Sequence, residues 1–188
     1  MRALICYDTK YGSTPEICRA IRAGITMDID IRNVRDVYTL EYDLILIGSP
    51  IFIGKPMKSI TDFIDRSYML LHSRTIATFV TCWATATQYG ASSQAFLEQL
   101  AKHLPPCRLI AQKALSGRLL PDAVSSRDKQ ILNRLLRRLE TMADNFESSS
   151  IPWRDARDYA AAETFGKDAE TRCRKIIQKG DGADAYKL

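Results

Sequence analysis

The feature that most restricts the fold is the order in which apolar runs and amphipathic stretches follow one another. Leu44-Ile45-Leu46-Ile47, at the centre of a strand expected over 42–49, is unbroken by any polar residue. A strand wet on one face alternates, so this one is expected to be covered on both. A shorter apolar run at 3–7 precedes it, and 75–81 and 109–115 follow. Between the strands lie stretches of helical period. Ile17, Ile21 and Ile25 recur every four residues within 14–25; Met57, Ile60, Phe63 and Ile64 mark a second helix; and 92–104 forms a third, stopped by Pro105-Pro106. The stretch 27–34 differs, alternating as Asp28, Ile29, Asp30, Ile31, Arg32, so it belongs at a sheet edge. Strand and helix in alternation imply an α/β fold: a parallel sheet with helices on both faces, joined by right-handed crossovers.

After Gly117 the alternation stops. A long helix is expected over 125–146, with Ile131, Leu132, Leu135, Leu136, Leu139, Met142 and Phe146 on one side and Arg127, Lys129, Arg134, Arg137 and Arg138 between or opposite them. Ser148-Ser149-Ser150 punctuates it, 152–179 is polar and helical in character, and the tail 180–188 is expected to fray. At 188 residues and 46% hydrophobic content, the chain suits one ordinary globular domain, expected over 1–179. No run approaches the roughly 18 apolar residues of a membrane span, and residues 1–8 lack the apolar core of a signal peptide, so a cytoplasmic protein is expected. Five scattered cysteines without a CxxC pair, and two histidines (His72 and His103), leave no metal site and no Ser-His-Asp hydrolase to assemble, and no catalytic side chain stands out. The +5 net charge selects no partner by itself; without an aromatic-interleaved basic stripe, nucleic acid is not expected.

In an open parallel sheet, ligands bind beyond the carboxyl ends of the strands, so three loops carry the functional argument. The first, 9–14, follows a strand and opens a helix. Thr9, Ser13 and Thr14 offer hydroxyls around Gly12, and the helix N-terminus adds about half a positive charge, a setting for a small anion. The alternative is an ordinary capped turn, with Ser13 and Glu16 as a capping box or Thr14 capping ahead of Pro15. The second loop, 48–56, sets Ile51, Phe52 and Ile53 between two glycines and two prolines, a greasy surface for a flat ligand unless these side chains tuck under the next helix. The third, 81–90, combines aromatics, small residues and hydroxyls as an opposite wall; no cation or histidine lies near Cys82 in the sequence to activate it, and it reads as packing or wall, not nucleophile.

Anion loop, apolar turn and aromatic wall, in that order, resemble the flavodoxin family. The resemblance spans about residues 1–117, and 153–160 is similar to the start of that family's last helix. It implies a doubly wound five-stranded parallel sheet of order 2-1-3-4-5 and FMN as cofactor. By position, Thr9, Tyr11, Gly12, Ser13 and Thr14 would hold the phosphate, with Lys10 in the same cofactor-binding loop. Ser49, Pro50, Ile51, Phe52, Ile53 and Gly54 would line one side of the ring. Cys82, Trp83, Thr85, Gln88, Tyr89 and Gly90 would line the other side and the ribityl chain.

The resemblance implies an FMN-dependent oxidoreductase or electron-transfer protein, whose redox partner is a protein, a quinone or a small-molecule donor or acceptor. Small electron-carrier flavodoxins are acidic, whereas this chain is basic and carries an extra segment, 118–150, after the fifth strand. That layout is closer to the flavodoxin-like menaquinone-dependent protoporphyrinogen oxidases, which carry an insertion there; the run 113–117 is similar to the strand end that leads into theirs. The basic amphipathic helix 125–146 would then suit peripheral contact with an anionic membrane or an acidic porphyrin propionate, packing on the domain or a homodimer being the alternatives. A flavin-free binding or regulatory module is the third class.

Overall fold

The structure is a computed structural model and describes residues 1–82, 85, 92–142 and 154–180. In chain order the elements are β1 (Arg2–Tyr7), α1 (Ser13–Ala23), β2 (Asp28–Asn33), β3 (Leu44–Phe52), β4 (Lys55–Pro56), α2 (Lys58–Arg66), α3 (Tyr68–Leu71), β5 (Thr75–Cys82), α4 (Ser92–Ala101), β6 (Arg108–Ser116), β7 (Arg118–Leu119), α5 (Ser126–Met142), β8 (Arg154–Asp155) and α6 (Tyr159–Gln178). Five strands pair in parallel in the order β2-β1-β3-β5-β6, the 2-1-3-4-5 arrangement expected of the family.

Side-chain alternation along the central strands builds two cores. Ala3 and Ile5 of β1, Leu44 and Leu46 of β3, and Ala77 and Phe79 of β5 face one way, onto Ile17, Cys18 and Ile21 of α1 and Ala162, Phe165 and Ala169 of α6. Their neighbours Leu4, Cys6, Ile45, Ile47, Ile76 and Val80 face the other way, onto Ile60, Phe63 and Ile64 of α2, Leu71 of α3, and Leu97 and Leu100 of α4. An apolar run such as Leu44–Ile47 is therefore buried on both faces because helices cover both. β2 lies at one edge, where Asp28 and Asp30 stay accessible to Arg2 (3.5 and 3.2 Å). β6 forms the other edge, which its sequence did not single out.

The helices α1 and α6 approach each other without intervening side chains. A Cβ at Gly166 would stand 2.2 Å from the Ile21 carbonyl oxygen, and one at Gly24 2.0 Å from that of Glu163. The start of α6 is capped by Asp158, whose carboxylate accepts the Ala161 N–H at 2.8 Å. Further along, the buried Glu170 accepts from the Thr26 N–H (2.5 Å) and hydroxyl (2.6 Å) and pairs with Arg174, tying α6 to the turn before β2.

Two expectations change at the connections. The stretch 48–56 is not an irregular loop: β3 continues to Phe52 and folds back through Ile53-Gly54 onto β4, pairing Ile51 with Pro56 and Phe52 with Lys55. Pro50, which has no N–H to donate, sits where pairing with β5 ends at Thr81, and the strand turns away there. The second change is a short antiparallel ribbon that no periodicity announced, in which Arg118 pairs with Asp155 and Leu119 with Arg154. It closes the base of the segment holding α5. Residues 143–153 and 181–188 lie outside the described residues, and the side chains of α5 are described only as far as Arg134. The apolar face expected from Leu135, Leu136, Leu139, Met142 and Phe146 is outside that range.

Candidate functional site

The carboxyl ends of β1, β3 and β5 bring the first two loops, and the beginning of the third, to one end of the sheet. At β1 the chain leaves through Asp8, 3% exposed, whose carboxylate accepts from the Thr9 N–H (2.8 Å), the Asn33 side-chain amide (3.0 Å) and the Ser59 hydroxyl. Burial pushes the Asp8 carboxyl up, but the bonds from Ser59, Asn33 and Thr9 outweigh it and hold it ionised below the usual carboxylate range. Asp8 thereby fixes the root of the anion loop. The Thr9 hydroxyl next accepts the Gly12 N–H at 3.0 Å, curling the loop, and Gly12 takes φ 78°, a left-handed conformation natural to glycine.

α1 starts directly after this turn, with Gly12 in the cap position and no side chain capping its amides. Neither expected cap forms. A left-handed Gly12 leaves the Ser13 and Glu16 side chains without capping geometry, and Glu16 instead pairs with Arg157 and, at 3.7 Å, with Arg118. Ser13 and Thr14 are buried, and the Thr14 hydroxyl bonds that of Thr81 at 3.1 Å, locking the helix start to the end of β5. A Cβ built on Gly12 meets no atom within 4 Å. The space on the Cβ side of Gly12 is thus open, and the N-cap position offers the helix-start amides no side-chain acceptor, the donor set that suits a phosphate.

Beside it stands the β3–β4 hairpin. Ile53 and Gly54 both have positive φ (51° and 74°), as a two-residue hairpin turn of matching twist demands. For Ile53 this is a strained conformation, since a β-branched side chain clashes there. The turn keeps Ile53 41% exposed, and Ile51 and Phe52 are half-buried. Ser49 does not open to this surface: fully buried, its hydroxyl accepts the Met57 N–H at 2.9 Å and donates to the Pro50 carbonyl at 3.0 Å, bracing the hairpin from beneath. Phe52 meets Tyr11 edge-on, with centroids 6.4 Å apart, and the Lys10 ammonium lies 3.2 Å from the Phe52 centroid. Anion loop and apolar turn are therefore in direct contact.

Of the third loop, Cys82 is buried at the end of β5 and Thr85 is half-buried, its hydroxyl 3.1 Å from that of Ser93. Trp83, Gln88, Tyr89 and Gly90 lie outside the described residues. One residue that sequence reasoning missed reaches the site from afar. Asp128, in the first turn of α5, accepts the Tyr11 hydroxyl and pairs with Lys10 at 3.0 Å. The only local signal is the Ser125-x-x-Asp128 helix-start pattern, which marks a cap and says nothing of a contact more than a hundred residues away. Asp8 was missed because it reads as the polar residue that ends a strand. Among the described residues, no group of His, Cys, Asp or Glu is arranged to hold a metal, and no helix is long and apolar enough to cross a membrane.

The sequence of residues 4–148 matches the family described as "Flavodoxin domain". The chain belongs to that flavodoxin-domain family. The match runs through the segment holding α5, beyond the 1–117 that the motifs alone suggested. In three dimensions this flavodoxin-family chain is similar to a flavodoxin from the domain Archaea (TM-score 0.55, 15% identity, 93% of this chain and 99% of that one). It is also similar to oxidised Flavodoxin 1 from Bacillus cereus (0.52, 14%, 91% and 98%) and to a flavodoxin, WrbA-like protein from Agrobacterium tumefaciens (0.51, 13%, 93% and 98%). At such identities the likeness is one of fold. No curated protein matches the chain significantly in sequence.

Proposed function

We propose that this chain binds FMN and acts as an FMN-dependent oxidoreductase or electron-transfer protein. The observation that carries the proposal is the uncapped start of α1 behind a left-handed Gly12, its Cβ direction empty, in contact with the apolar β3–β4 turn. Thr9, Gly12, Ser13 and Thr14 would receive the phosphate through amides and hydroxyls. Phe52 and Ile53 offer apolar surface to the ring, and Trp83 and Tyr89 are the proposed opposite wall. The flavin supplies the electron chemistry; the protein binds it, orients it and limits access of water. The donor and acceptor are proposed to be a redox protein, a quinone or a small molecule. The test is the visible spectrum of the purified protein and the mass of any chromophore it releases. A bound FMN supports the proposal, whereas a colourless protein that ignores saturating FMN refutes it and favours a flavin-free binding module.

A finer reading is a menaquinone-dependent protoporphyrinogen oxidase. It is supported by a helix-bearing segment after the fifth strand of the sheet, with Arg127 and Arg134 exposed on α5. Quinone-linked oxidation of protoporphyrinogen by the FMN-loaded protein is the assay; turnover with other acceptors but none with protoporphyrinogen would leave the general proposal standing and remove this one.

A further inference from the structure

Residues in and flanking the β7–β8 ribbon and at the start of α5 touch the first turn of α1 and loop 9–14. Arg118 and Arg157 both pair with Glu16 in the first turn of α1, and the Tyr159 hydroxyl donates to the same carboxylate at 3.1 Å. Gly117 and Ala156 are stitched on by backbone bonds, the Gly117 N–H to the Cys82 carbonyl and the Ala156 N–H to the Gly117 carbonyl, each at 3.2 Å. At the start of α5, the Ser125 hydroxyl accepts the Asp128 N–H at 3.2 Å, as a helix cap does. The Asp128 carboxylate is turned outward to Lys10 and Tyr11. It is 9% exposed, and the bond from Tyr11, with lesser help from Lys10 and Ser125, overcomes burial and holds it ionised. Lys10 and Tyr11 are thus held by the start of α5, and Glu16 by residues in and flanking the β7–β8 ribbon.

We infer that Asp128 is a positioning residue for the phosphate half of FMN, the start of α5 serving as a brace that holds loop 9–14 in its binding shape. The inference rests on the FMN site proposed above. Physically, Gly12 and the loop around it lose conformational freedom when a ligand binds, and a loop already held by Lys10 and Tyr11 loses less. The carboxylate contributes through these two side chains and not by touching the phosphate, which it would repel. Linkage then requires the reverse effect: phosphate in the loop must steady the start of α5.

Flavin fluorescence titrations with FMN and with riboflavin, which lacks the phosphate, test this. For D128A, FMN is expected to bind about tenfold more weakly, the order of one charged hydrogen bond partly transmitted, while riboflavin affinity stays the same. D128N keeps an acceptor for the Tyr11 hydroxyl and should recover part of the loss, and Y11F should resemble D128A. Unchanged or tighter FMN binding in D128A overturns the inference, as does an equal loss for riboflavin, which would mark a general structural role. Wild-type protein is informative even if D128A fails to fold: FMN, but not riboflavin, should slow amide hydrogen exchange at 125–130, and equal exchange in both complexes overturns the inference. Wild-type protein that binds neither flavin removes the FMN proposal itself and this inference with it.

Discussion

Gly12→Val separates binding from folding at the point where the two are most easily confused. In the protein as it stands, a Cβ at Gly12 meets nothing within 4 Å beyond its chain neighbours, so the first side-chain atom has room. What remains is the backbone cost of a branched residue at φ 78°, about 1–2 kcal/mol for a left-handed L-residue. Against the roughly 5–15 kcal/mol that stabilises a domain, this leaves the chain folded. The same empty space is where the phosphate is proposed to approach the backbone. Filling it with an isopropyl group should push the ligand away from the α1 amides and weaken FMN by a factor of 100 or more, about 2.7 kcal/mol at two decades of affinity. Fluorescence titration gives the affinity and a thermal melt gives the stability. G12V that melts a few degrees low and still binds FMN as tightly as wild type would falsify the placement of the phosphate, whatever else the protein binds.

Three further outcomes follow from the packing and electrostatics. Gly166→Ala drives a methyl group to 2.2 Å from the Ile21 carbonyl oxygen, so α1 and α6 must separate; an overpacking cost of about 1–3 kcal/mol is expected in a denaturant melt, and wild-type stability would contradict the observed approach. Ile53→Asn relieves a β-branched residue at φ 51° and should raise stability by about 1 kcal/mol, while lowering affinity for both FMN and riboflavin; a variant neither more stable nor weaker in binding would deny Ile53 both roles. For Asp8, the folded-state carboxyl lies below its ordinary value. Its stabilising effect is therefore complete above the unfolded pKa, about 4, and is lost as pH falls through the depressed folded value. Asp8→Asn should flatten this acid limb of the stability profile, and an unaltered limb would assign it to other carboxylates.

The sheet was legible because its signals are local and repeated. Leu44-Ile45-Leu46-Ile47 announces a strand with two covered faces, Asp28 to Arg32 an edge, and Ile17 and Ile21 a buried stripe on α1, whereas Ile25, expected on the same helix, follows its end at Ala23. The anion loop was legible as residue types, but its cap was not: Ser13 and Glu16 have the spacing of a capping box, and the choice between capping and pairing with Arg118 and Arg157 is made by residues far along the chain. The hairpin at Phe52–Lys55 was misread as a loop because Ile53 is a poor residue for a turn of positive φ, so the usual Asn-Gly signal is missing. The β7–β8 ribbon is too short for any period to register. Asp128 was invisible in its role for the most general reason, that a contact between a loop and a helix start over a hundred residues apart leaves no trace in local pattern.

The central claim is that backbone amides and hydroxyls at the start of α1 hold the phosphate of FMN as a dianion, and phosphorus NMR of the complex tests it most directly. Donors that favour the doubly charged form lower its second ionisation, so the bound resonance should stay fixed from about pH 8 to about pH 5, across the ordinary phosphate value near 6. A resonance that moves with pH as free FMN does, in a protein that nonetheless binds the flavin, would put the phosphate in solvent and contradict the account.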